Sequence, residues 1–137
     1  MKKHTFRNGQ TLVEFALLLP VFLVLIIGFV DLGRAVFYYS SLSNAVRESA
    51  RFAITQRNPD EEAIKDKVLE YAFALQGTPN PLTKSDIIIT YPTVENNKNI
   101  TISVQATYTF TPLTPLIAPH GIDLVAQSTM RISGAAR

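Results

Sequence analysis

The chain has 137 residues, one domain's worth at most, and contains neither cysteine nor tryptophan. Without cysteine there can be no disulfide, no thiolate metal site and no cysteine nucleophile. The formal charge of +2 hints at a nucleic-acid partner, but the first nine residues carry three of the 13 Lys/Arg and none of the 11 Asp/Glu. The remainder holds ten basic against eleven acidic residues, a net charge of −1, so the basicity is confined to the N-terminus and supports no nucleic-acid partner.

That basic start runs directly into an apolar stretch. From Phe15 to Val30 there is no charged or strongly polar side chain, and from Leu12 to Val30 the one charge is Glu14. As a helix these 19 residues cover about 28 Å, close to the bilayer core of about 30 Å. A buried helix of a soluble protein is the alternative, but the rest of this short chain could hardly surround a helix that is apolar on every side. Lys2, Lys3 and Arg7 precede the run and no acid does, which predicts a cytoplasmic N-terminus and an exported C-terminal domain. The run is too long for a secretory h-region, and Gly33-Arg34-Ala35 is a poor small-x-small cleavage site, so a signal cleaved after the apolar run is the weaker reading.

Beyond Val30 the pattern becomes amphipathic without a break. Leu32, Ala35, Tyr39, Leu42, Val46, Ala50 and Ala53 recur three and four apart, predicting one apolar stripe on a helix that continues to Gln56. Pro20 and Gly28 are tolerated within a membrane span and are candidate bends. The helix must stop near Asn58-Pro59, because the residue before proline is pushed out of the α region. A second helix is expected from Asn58 as N-cap, with Pro59 at its first position and Asp60, Glu61 and Glu62 facing the dipole. Its buried face would be Ile64, Val68, Tyr71, Ala72 and Leu75, and Gly77 to Pro81 would end it.

Strands follow. Asp86 to Tyr91 is β-branched and stopped by Pro92, while Asn99 to Thr111 alternates, with Ile100, Ile102, Val104, Ala106, Tyr108 and Phe110 on one face. Glu95 to Lys98 is the expected turn of an antiparallel pair. A third strand is expected from Ile122 to Ile132, with Ile122, Leu124, Ala126, Met130 and Ile132 on one face. The fold class is therefore α+β: a long N-terminal helix, a second short helix and a small antiparallel sheet of about three strands packed on the helix. The chain divides into a leader (1–9), a transmembrane helix (10–30) and an exported domain (31–137), the last comprising helix continuation (31–57), second helix (58–76) and strands (86–132).

Little in the chain suggests chemistry. His4 and His120 form no pair, and the sequence has no GxSxG, HExxH or phosphate-cradling glycine loop. The acids at Asp60 to Glu62 are better explained by a helix N-terminus than as a catalytic cluster. Glu95 among asparagines is weak cation ligation, and the sequon Asn99-Ile100-Thr101 lies within a strand. The expectation is a protein that is not an enzyme, with no catalytic residue, metal or cofactor and no small-molecule substrate.

The residue that needs explaining is Glu14. A carboxylate in a span needs a partner or a water path, and glutamate's stem is too short to snorkel well. If the chain were cut after Gly9, Gln10 would gain a free amine one helical turn from Glu14. Gly9-Gln10-Thr11-Leu12-Val13-Glu14-Phe15, behind a short basic leader and ahead of an apolar helix that continues outward, resembles a type IV prepilin signal. More narrowly, Gly9 to Ala53 is similar to TadE-like pseudopilins of the tight adherence pilus, with Ser49 where that pattern suggests glycine. Ala126 to Arg131 also resembles the family's C-terminal end.

The resemblance implies cleavage after Gly9 by a membrane prepilin peptidase, Gln10 as the mature N-terminus, and Glu14 as the carboxylate that pairs with a neighbouring subunit's amine. It implies other pilins and the Tad assembly machinery as partners, homo- or hetero-oligomers, a single-pass location in the bacterial cytoplasmic membrane, and possible incorporation into a surface pilus. Major pilins of the family are much shorter, so the exported domain points to a minor component. Small residues at Ala35, Ser49, Ala50 and Ala53, together with Glu14, suggest self-association. The rival is a permanently anchored binding module whose exported sheet recognises a ligand. A tethered hydrolase would need a nucleophile and base that the sequence does not offer.

Overall fold

A computed structural model describes residues 7–56, 60–91, 100–113 and 119–132. Helix α1 (Arg7–Thr55) runs 49 residues without interruption, about 73 Å at 1.5 Å per residue. Pro20 lies inside it; a proline there leaves the carbonyl of Ala16 without its helical donor, yet the helix continues. Helix α2 (Glu61–Tyr71) and the single turn α3 (Phe73–Gln76) follow, then a 3-10 turn at Lys84–Asp86 and strands β1 (Ile87–Thr90), β2 (Ile100–Phe110) and β3 (Ile122–Ile132). The strands form one antiparallel sheet in the order β1-β2-β3, an α+β arrangement as expected.

Register determines which side chains face the helix. Val104 stands opposite Ile89 and Ser128, Ala106 opposite Ile87 and Ala126, and Tyr108 opposite Leu124. Because side chains alternate across a strand, Ile102, Val104, Ala106, Tyr108 and Phe110 all turn to one side and are buried. There they meet Leu42, Ala45, Val46, Ala50 and Ala53 of α1, while Ile64 and Val68 of α2 and Leu75 of α3 complete the same core. The other face of the sheet is polar: Gln127 Nε2 and Thr129 Oγ1 reach Ser103 Oγ at 2.8 and 3.1 Å.

Several expectations need correction. Tyr39 and Leu32 are exposed; the aromatic that packs on the core is Tyr38, whose ring lies edge-on to Tyr108 at 5.7 Å. The start of α2 falls at Asp60, with extended backbone (φ −78, ψ 126) and its Oδ1 accepting from Glu62 N at 3.3 Å. The short Asp60 carboxylate reaches the second helical amide; Asn58 and Pro59 lie outside the described residues. The second helix is also broken at Ala72 into α2 and α3, and Tyr71 is exposed while Ala72 and Leu75 are buried. Asp86 belongs to the 3-10 turn, not to β1. The expected turn at Glu95 to Lys98 lies outside the described residues.

The small-residue stripe also has a different use. Ser49, Ala50 and Ala53 are fully buried beneath the chain's own domain, and Ala35 packs against the same core. Small side chains there let α2 and the sheet approach α1 closely, and the Ser49 hydroxyl donates to its own helix at Ala45 O, 2.7 Å away. The stripe therefore serves packing within the chain and is not a surface left for self-association.

Candidate functional site

The sequence places its candidate site at the N-terminal end of α1. Gly9, Gln10 and Glu14 all lie within the helix and are exposed. Gln10 Nε2 donates to Glu14 Oε1 at 3.2 Å, a pairing one helical turn long. The two are thus brought together, with a neutral amide as the described donor to Glu14. A Cβ added at Gly9 would meet nothing within 4 Å. Glycine costs about 1 kcal/mol relative to alanine inside a helix, so neither space nor backbone geometry accounts for its use there.

Above this end the helix is exposed on all sides. Its most apolar window has a mean hydropathy of 2.8, and none of that window is buried against the rest of the chain. A helix at the core of a soluble protein would be covered. This one presents Phe15, Leu18, Phe22, Leu25 and Phe29 outward at successive turns, which only a lipid or protein environment can accommodate.

A second feature lies where the apolar run ends, and sequence reasoning passed over it. Asp31 is buried. Its Oδ1 accepts from Arg34 Nη1 at 3.0 Å, one turn along, and from the backbone amide of Leu113 at 2.9 Å, from just beyond β2. The Arg34 guanidinium in turn lies over the Phe110 ring, 5.3 Å from its centroid, and over Tyr38 at 5.8 Å. Helix and sheet are thereby clasped where the domain meets the span. The available signal was an Asp-x-x-Arg pair directly after a run without charge; it showed that the two could pair on the helix but not that a residue 82 positions away would join them.

Below the clasp is an open groove of about 440 Å³. Leu25, Gly28 and Phe29 form its floor on α1, and Phe110, Pro112 and Ile122 overhang it from the sheet. Elsewhere the polar clusters are structural. Lys84 bridges Glu62 (3.1 Å) and Asp66 (2.6 Å), tying the 3-10 turn to α2, and these hydrogen bonds, to Asp66 first and Glu62 second, hold the Lys84 ammonium above its ordinary value. His120 sits exposed in the turn before β3. Among the described residues no group of three or more His, Asp or Glu could hold a metal ion.

Residues 9–51 match the family model described as TadE-like protein. Over this helix the chain is similar to TadE-like proteins. The match begins at Gly9 and takes in most of α1, stopping before α2 and the sheet. No curated protein and no solved structure gives a match to the chain. The likeness and the exposed apolar helix together support a single-pass membrane protein.

Proposed function

We propose that this TadE-like chain is a minor pseudopilin of a Tad-type pilus or a related secretion apparatus, processed after Gly9 by a prepilin peptidase. The observation that carries the reading is that the family match starts at Gly9, the last residue of the basic leader. Its use of glycine at a helical position with open space around it fits a requirement set by a peptidase rather than by the fold. After cleavage Gln10 would carry the free amine, with Glu14 the fifth residue of the mature chain.

Magnitudes favour an assembly role for Glu14. A charge at the bilayer centre costs about 2.5 to 3.5 kcal/mol, and less toward the ends. The helical hydrogen bond from Gln10 returns about 0.2 to 0.5 kcal/mol. The deficit is removed by a cation, and a terminal amine of a neighbouring pilin supplies one at the right depth. The partners are then other pilins and the Tad machinery, and the protein resides in the bacterial cytoplasmic membrane with its N-terminus inside and its domain outside.

The test is the intact mass of the membrane-extracted protein, expressed with and without an active prepilin peptidase. The proposal expects loss of Met1 to Gly9, abolished by Gly9→Val. A leader that stays on while a control prepilin is cut would remove the pilin reading and leave a signal-anchored binding module. A Glu14→Gln protein that was processed and still co-purified normally with pilins would remove the assembly role of Glu14 alone.

A further inference from the structure

The groove beneath the clasp is placed by the length of the span. Its floor residues Leu25, Gly28 and Phe29 belong to the run that ends at Val30, so they lie within about 8 Å of the outer edge of the hydrocarbon layer at 1.5 Å per residue. Phe110, Pro112 and Ile122 line the same groove, so this end of the domain reaches down to the same depth. Leu113, beside them, is 62% exposed and Ile122 45%. Leu32, which also lines the groove, and Val36 and Phe37 further along α1 are exposed as well, so the apolar surface of the helix does not stop at Asp31.

Two polar features would forbid immersion if left alone, and both are satisfied. An unpaired backbone amide costs several kcal/mol in hydrocarbon, but the amide of Leu113 donates to Asp31. The Asp31 carboxylate, at the groove wall, also pairs with Arg34, which is itself covered by the Phe110 ring. At the groove wall Asp31 and Arg34 thus neutralise one another.

We propose that the end of the exported domain formed by Phe110 to Leu113 and Ile122 is seated in the outer leaflet, with a phospholipid acyl chain filling the groove against Leu25 and Phe29. The domain is then held at a fixed height and angle on the bilayer and does not swing freely from its helix. This inference rests on the single-pass reading of α1 and not on cleavage after Gly9.

The chain has no tryptophan, so single replacements report without background. Full-length Leu113→Trp, Ile88→Trp and Phe22→Trp proteins are reconstituted in phosphatidylcholine vesicles with and without bromine on the acyl chains. Phe22 lies in the span, and Ile88 is exposed on the outer face of the sheet. The proposal expects loss of emission at Leu113 comparable to that at Phe22, and none at Ile88. Quenching at Phe22 with none at Leu113 overturns it while leaving the membrane span standing. Blue-shifted but unquenched emission at Leu113 also overturns it, and assigns the groove to a second copy of the chain. No quenching at either site overturns both the inference and the single-pass reading.

Discussion

The two halves of α1 differ in how densely they carry apolar residues and in how these are arranged. From Leu12 to Val30 they occupy every side, and the chain itself covers almost none of them; beyond Asp31 a stripe emerges, with Leu42, Val46, Ala50 and Ala53 buried by the sheet and α2 while Leu32, Val36, Phe37 and Tyr39 stay exposed. One helix thus passes between two solvents without a change of secondary structure. The lesson is that an unbroken apolar run calls for an external apolar phase, whereas a stripe of period 3.6 calls for a protein partner, and the boundary is the residue at which one pattern gives way to the other. Here that residue is Asp31, and the chain closes the boundary with the clasp to Leu113.

The sharpest contrast comes from one substitution made on both sides. Leu42 is fully buried and Leu18 is 65% exposed. Leu42→Ala should lower domain stability by about 2 to 5 kcal/mol, read by denaturant unfolding of the detergent-solubilised protein, and Leu18→Ala should leave that transition unchanged. A comparable loss at Leu18 would break the distinction.

At the boundary itself, Asp31→Ala orphans the Leu113 amide and the Arg34 guanidinium. The expected loss is about 1 to 3 kcal/mol, with Asp31→Asn losing less because it can still accept from Leu113. Hydrogen exchange at the Leu113 amide distinguishes the two variants directly.

Glycines provide a third contrast. Gly121, before β3, has φ +80, and a Cβ there would lie 2.9 Å from Thr109 Cγ2 and 3.0 Å from Phe110 O. Gly121→Ala should cost about 1 to 2 kcal/mol from the left-handed backbone, read in the same unfolding transition, with crowding adding to it. Gly28, in the span, has open space, so Gly28→Ala should leave the domain unaffected.

The smallest effect concerns pH and belongs to the domain beyond Asp31. Lys84, partly exposed, is raised above 10.5 by its bonds to Asp66 and Glu62. Its contribution is therefore fully present below the unfolded value and lost as pH rises through the folded one. Lys84→Met should remove this part of the alkaline fall in stability, read by denaturant unfolding at a series of pH values.

Much of this was legible before the structure, for physical reasons that differ by element. Strand β3 was bounded at Ile122 and Ile132 because apolar residues alternate there and a Pro/Gly connection precedes it. The stripe on α1 was legible from Leu42 to Ala53 but not at its lower end. Residues 38 and 39 sit 100° apart on a helix, and only the position of Tyr108 and Phe110 across the gap selects Tyr38. The small residues at Ser49, Ala50 and Ala53 could be read as small but not assigned a partner, since close approach to another chain and to one's own sheet leave the same trace. Sheet order was hidden because it depends on register between strands. Of the candidate site, Gln10 and Glu14 were readable from their spacing, whereas the clasp required a contact between Asp31 and Leu113 that no local pattern encodes.

The central claim is that α1 leaves the bilayer at Asp31 and carries its domain outside. Because the chain has no cysteine, single cysteines can be placed at Thr5, Leu18, Phe22, Ser40 and Gln56 and labelled in intact cells with a membrane-impermeant maleimide. The account predicts labelling from outside at Ser40 and Gln56, none at Leu18 and Phe22, and labelling at Thr5 only after the membrane is opened in cells lacking the peptidase. Labelling of Leu18 and Phe22 from water, or of Gln56 only after opening, would contradict it.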